Sequence, residues 1–308
     1  MKNRKLTLGI YFITVLLITL VGTVLRTVSA LKHLDFGTGY YSNNLYITVS
    51  GWLIAVAVII GFTYLFFGDS KTGLIAKFDG SATYIPSAAV AVALLFMAVG
   101  LLAKAFSGPS VSWLTLVAAL FTVPAIAGFF LTVLKTHRED EGRAWFCIAI
   151  VIFLVVYSAY LYFDSSLPIN SPNKTVDRMA YLAAAAFFLF ETRISLGREK
   201  WGAYTTFGII GAAVCLYSAL PALTVYIMKG EVISNSLYES VLTLAIFAFI
   251  TARLTLVLII PEDKESAFVS FIKENEPKAK EAHHTEQAVV DDRDDNYSID
   301  FNEGTERT

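Results

Sequence analysis

Cysteine is almost absent, with only Cys147 and Cys215 in a chain of 308 residues. Two thiols cannot build a disulfide framework, and both fall in apolar runs, where they read as small fillers. Histidine is scarce as well: His33, His137, His283 and His284 all lie outside the long apolar runs. A metal-dependent protease working in a bilayer needs His and carboxylate ligands at depth, and a Ser–His dyad needs a buried His. Neither set can be assembled, so no catalytic residues, no metal and no cofactor are expected, and an enzyme is disfavoured. Charge is the third deficit. Charged residues make up 16% of the chain and hydrophobic residues 56%, where a soluble domain carries about 25% charged. The chain is too apolar for a water-soluble globule of this length and too apolar for general disorder. An integral membrane protein remains.

Long apolar runs supply what charge does not. A bilayer core about 30 Å thick needs about 20 mostly apolar residues per helix. Eight runs meet that requirement: 6–27, 46–67, 84–104, 111–134, 144–163, 177–197, 201–228 and 237–260. Lipid offers a bare backbone no partner, so each run is expected to be helical. The fold class is therefore an all-α polytopic bundle of eight transmembrane helices over residues 1–260. A basic start, an apolar run and Val28-Ser29-Ala30 also resemble a signal peptide, but the run exceeds the usual about 7–15 residues, so an uncleaved helix is expected.

Orientation follows the basic residues of the short loops. Lys2, Arg4, Lys5, Lys71, Lys77, Lys135, Arg138, Arg143, Arg193, Arg198 and Lys200 fall on one side. The other side holds Arg26, Lys32, Lys104, Lys174, Arg178 and Lys229. The richer side is expected to be cytoplasmic, with both termini there and the chain in the plasma membrane. Trp52, Trp113, Trp145 and Trp201 all lie near span ends, as interfacial anchors should. Arg26, Lys104 and Glu239 are expected at the interface too. Asn173-Lys174-Thr175 forms a glycosylation sequon on the outer side.

Charge is split along the chain. Residues 1–260 hold 18 Lys and Arg against 12 Asp and Glu, a net of +6. Residues 261–308 hold 6 against 14, a net of −8. Within the latter, Ala267, Phe268, Phe271 and Ile272 share a stripe, so 261–276 is expected to be an interfacial amphipathic helix. Residues 277–308 are expected to be a disordered acidic tail, repelled by nucleic acid and by anionic lipid, whose partner would be a basic cytosolic protein.

Little polar chemistry lies within the spans, and no intramembrane Asp is expected. Ionisable groups at depth are costly and mark function by default. Glu191 in span 6 and Arg253 in span 8 lie at equal depth on helices running the same way, a candidate intramembrane ion pair. Pro124 and Pro221 each remove a helical hydrogen bond and are candidate kinks. Hydroxyls cluster at Tyr157, Ser158 and Tyr160 in span 5, and at Tyr204, Thr205, Thr206, Tyr217 and Ser218 in span 7. These features favour a transporter of ions or small molecules. The alternative is a membrane sensor or scaffold that presents its acidic tail to a protein.

Overall fold

A computed structural model of the chain describes residues 2–42, 45–67, 81–107, 112–134, 141–164, 168, 170–196, 200–233 and 236–259. The expected surface helix at 261–276 and the tail at 277–308 lie outside the described residues. Eight helices follow one another: α1 (Lys2–His33), α2 (Leu45–Phe67), α3 (Ser81–Phe106), α4 (Trp113–Leu134), α5 (Glu141–Phe163), α6 (Pro172–Ser195), α7 (Trp201–Lys229) and α8 (Leu237–Ile259). Among the described residues, β-structure is confined to one isolated bridge between Leu34 and Tyr41. Seven helices are long and apolar enough to cross a membrane. The exception is α6, which carries Lys174, Asp177, Arg178, Glu191 and Arg193.

Two helices differ usefully from their sequence limits. α1 runs on to His33, and Lys32 and His33 in its last turn suit the negative end of the helix dipole. The chain then turns on Asp35, which accepts the Gly37 N–H at 2.9 Å and the Thr38 hydroxyl at 2.7 Å. These bonds to Thr38 and Gly37 hold the Asp35 carboxyl below its ordinary pKa. Gly39, at φ 70°, completes the turn in a conformation that suits a residue without Cβ. α6 begins five residues before its expected start at 177, with Ser171 as N-cap and Pro172 at the first helical position, where a missing N–H costs nothing. That early start brings Asn173 into the helix and puts Asp177 in its second turn.

The helices pack as a closed ring of six, α3 to α8, each touching the next and α8 returning to α3. α1 and α2 pack together on the outer side of α7. α7 is thus the central helix: 83% of its most apolar window is buried, against 17% for α2. Small residues permit this. A Cβ on Gly208 would lie 2.9 Å from Leu254 of α8, and one on Gly211 would lie 3.2 Å from Ile250. Close backbone approach through small residues is how helices associate where lipid removes the hydrophobic drive. The ring's centre is filled with rings: Phe129 of α4, Phe188 of α6 and Phe249 of α8 contact one another with centroids 5.5–5.6 Å apart.

The outer surface is apolar on every side, with Leu17, Val21, Ile59, Phe96, Val99, Leu120, Val123 and Val155 all exposed. Soluble monomers rarely show contiguous apolar patches beyond a few hundred Å², so this surface suits lipid. Trp52, Trp113 and Trp145 stand out from it, 70–75% exposed. Trp201 departs from the interfacial expectation: it is buried because it opens the central helix, and it packs edge-on against Tyr204 at 5.8 Å.

Candidate functional site

Two polar groups are built into one end of the bundle, where odd-numbered helices finish and even-numbered ones begin. The first centres on Arg26, expected at the interface but only 2% exposed. It sits on α1 facing α7 and α6, so it cannot snorkel, and its guanidinium is met within the protein. Nη1 donates to the Tyr217 carbonyl at 2.7 Å, and Nη2 donates to Asn173 Oδ1 at 2.8 Å. The guanidinium also lies 4.8 Å from the Tyr217 ring centre. Asp177, on the next turn of α6 beyond Asn173, lies within electrostatic reach of Arg26 and accepts the Ser218 hydroxyl at 2.5 Å. Tyr41 donates to Asn173 Oδ1 at 2.8 Å, and Ser50 of α2 shares a 2.8 Å hydrogen bond with the Tyr217 hydroxyl.

Pro221 explains why Arg26 goes to Tyr217. A proline cannot donate to the carbonyl four residues earlier, and that carbonyl belongs to Tyr217. The freed acceptor lies in a sealed interior, where an unmet carbonyl is costly, and Arg26 takes it. α7 continues as a helix through Pro221, and α4 does so through Pro124. Near Pro124, Gly128 lets α5 approach: a Cβ there would lie 3.1 Å from Phe146. Pro86 in α3 is a third proline inside a helix, beyond the two expected. It sits in the second turn, where the hydrogen bond it removes is close to the helix end.

The second group surrounds Glu239 in the first turn of α8. Glu239 is 4% exposed, because α3 and α7 pack along α8 and Tyr157 of α5 and Tyr181 of α6 reach over it. Tyr157 of α5 donates its hydroxyl to Oε1, while Oε2 has no hydrogen-bond partner. Tyr181 of α6 donates to the Glu239 carbonyl at 3.4 Å, and Thr243 donates to Tyr181 at 3.3 Å. Tyr181 lies one turn beyond Asp177, so α6 joins the two groups. On the rim, half-exposed Lys104 pairs with Asp164 at 2.6 Å, and the Lys174 ammonium reaches the Asp164 carbonyl.

Glu191 and Arg253 lie toward the opposite end. The structure brings them together: Arg253 Nη2 donates to Glu191 Oε1, with the two residues 2% and 3% exposed. The pair spans the two helices that flank α7. The Phe129–Phe188–Phe249 cluster lies just beside it and separates it from Glu239, which is about 15 Å from Phe249 along α8 at about 1.5 Å per residue.

Several residues here escape a one-dimensional reading. Asp177 falls at the first position of a hydropathy-defined span, so it does not register as intramembrane, yet it is buried. Asn173 is 1% exposed and engaged by Arg26 and Tyr41, so its side chain is not at the surface of the folded chain. A legible signal did exist: Arg26 and Asp177, of opposite charge, fall near the same bundle end, and Pro221 marks a carbonyl needing a donor. Among the described residues no group of His, Cys, Asp and Glu has the arrangement of a metal site. Comparison with protein-family models, with curated proteins and with solved structures finds no match.

Proposed function

We propose that the chain is an eight-span transporter of small polar cargo, in which Glu239 is the recognition group and the Glu191–Arg253 pair closes the opposite side. The observation that carries this is the Glu239 carboxyl, sealed in the ring with a tyrosine hydroxyl on one oxygen and nothing on the other. A half-met carboxyl in a dry interior is costly and serves stability poorly. It suits a cargo that brings a positive charge or a hydrogen-bond donor. The aromatic cluster then acts as the barrier between an outer site and an inner clamp, so that passage requires helix movement.

In this reading α6 is the eighth span. It lies between α5 and α7 with Lys174, Asp177 and Glu191 buried, while Arg178 and Arg193 are partly exposed. The Arg26 and Glu239 end faces outward, both termini are cytoplasmic, and the membrane is the plasma membrane. Residues 261–308, with their net −8, then meet the cytosol and are open to a basic protein surface.

The test is flux in proteoliposomes across a panel of alkali cations and small amines. Wild-type chain is expected to carry at least one of them, and Glu239→Gln to abolish that flux without altering unfolding in detergent. Unchanged flux in Glu239→Gln would remove this role. Silent flux throughout, with a cellular phenotype lost on deleting 277–308, would replace transport by the scaffold reading.

A further inference from the structure

A slot of about 600 Å³ lies on the lipid side of α7, between α2 and α6. Gly51 and Ile59 belong to its α2 wall, Met179 and Ala183 to its α6 wall, and Ile210 and Tyr217 to its floor. Its origin is in the packing. α2 is tied to α7 at two places, by the Ser50–Tyr217 hydrogen bond above and by Gly61 below, where a Cβ would lie 2.8 Å from Ile210. Between those ties the walls stay apart. Nothing lies within 4 Å of where a Gly51 Cβ would be, and Ile59 and Met179 flank the opening at about 60% exposure.

The dimensions select an occupant. From Gly51 to Ile59 the slot is about 12 Å long at about 1.5 Å per residue, while a neighbouring transmembrane helix needs a face about 30 Å long. The ties at both ends also stop a helix from passing through. The polar residues nearby, Arg26, Asn173 and Asp177, are buried and do not belong to the slot's lining, so the slot presents hydrocarbon alone. A dry apolar cavity of this kind takes an apolar guest and no water. We infer that the slot binds one acyl chain of a bilayer phospholipid, entering sideways between α2 and α6 in the half of the membrane that holds Glu239. The inference rests on the membrane-spanning reading and not on transport.

The test uses the full-length chain in phosphatidylcholine vesicles doped with a phosphatidylcholine bearing a diazirine midway along one acyl chain. After irradiation, labelled positions are mapped by mass spectrometry. Label is expected to concentrate at Ile59, Met179 and Ala183 above the lipid-exposed controls Phe96 and Val99. Gly51→Leu with Ala55→Leu, which fills the slot, is expected to bring that label down to the control level and leave the controls unchanged. If the double variant loses its unfolding transition, Gly51→Leu alone gives the same comparison, because its side chain enters open space. Slot labelling no higher than the controls, or labelling unchanged by filling, overturns the inference. So does efficient dimer cross-linking of a single cysteine at Ile59 or Met179, which would show a second copy covering the slot. Glu239-dependent flux is read separately, so either result can fail while the other stands.

Discussion

Arg26 and the Glu191–Arg253 pair show two ways a charge is tolerated inside this bundle. Arg26 is held by backbone, amide and ring at once, with Asp177 nearby. Arg26→Ala leaves the Tyr217 carbonyl unmet and Asp177 uncompensated, and is expected to destabilise by about 3–5 kcal/mol, the cost of breaking a buried ionic contact. Unfolding in detergent measures this, and a loss under about 1 kcal/mol, the worth of one ordinary hydrogen bond, would refute it. The Glu191–Arg253 pair separates stability from function. Either single change, Glu191→Leu or Arg253→Met, is expected to cost about 3–5 kcal/mol, whereas the apolar double variant should regain most of it. If the pair closes a transport path, that refolded double variant still has altered flux; normal flux would reduce the pair to a clamp. The candidacy of Glu191 and Arg253 was legible because both are rare charges in apolar runs. Their contact required knowing that α6 and α8 flank one helix.

At the scale of the element, α7 decides most of the architecture. Gly208 and Gly211 let α8 lie close, and Pro221 hands the Tyr217 carbonyl to another helix. A double-mutant cycle tests that hand-over. Pro221→Ala restores an N–H that can reach Tyr217, so Arg26→Ala is expected to be less damaging in that background, by about 1 kcal/mol, the worth of one recovered hydrogen bond. Strict additivity would show that Arg26 does not serve the proline's vacancy. Helix boundaries were legible within a few residues for most elements, because apolar length is a property of the local chain. The start of α6 was not: a hydropathy window ends at the first cluster of charges, while the helix runs on through Asp177 and Asn173 because their partners on α1 and α7 meet them.

At the scale of the whole molecule, the question is how often the chain crosses. Seven helices pass on length and composition, and α6 buries Lys174, Asp177 and Glu191 but leaves Arg178 and Arg193 partly exposed. Eight crossings put both termini on one side, and seven put them on opposite sides. Epitope tags at residue 1 and residue 308 in sealed cells are expected to be reached only after permeabilisation. One tag accessible from outside would exclude α6 as a span, and both accessible would reverse the orientation.

The sequence by itself determined the apolar character that suits a membrane, the helical class, the approximate helix bounds and the shortlist of rare charges in apolar runs. Each of these depends on the composition of a contiguous stretch, and hydrophobic transfer is additive along such a stretch. Tertiary structure alone decided which charges are buried and what meets them. Arg26, Asn173, Asp177 and Tyr217 come from α1, α6 and α7, separated by up to 191 positions. Glu239 looks interfacial by its place at a helix end until α5 and α6 bring Tyr157 and Tyr181 over it. Burial of a polar group depends on the neighbours that helix packing supplies, and hydropathy along one chain segment does not contain them.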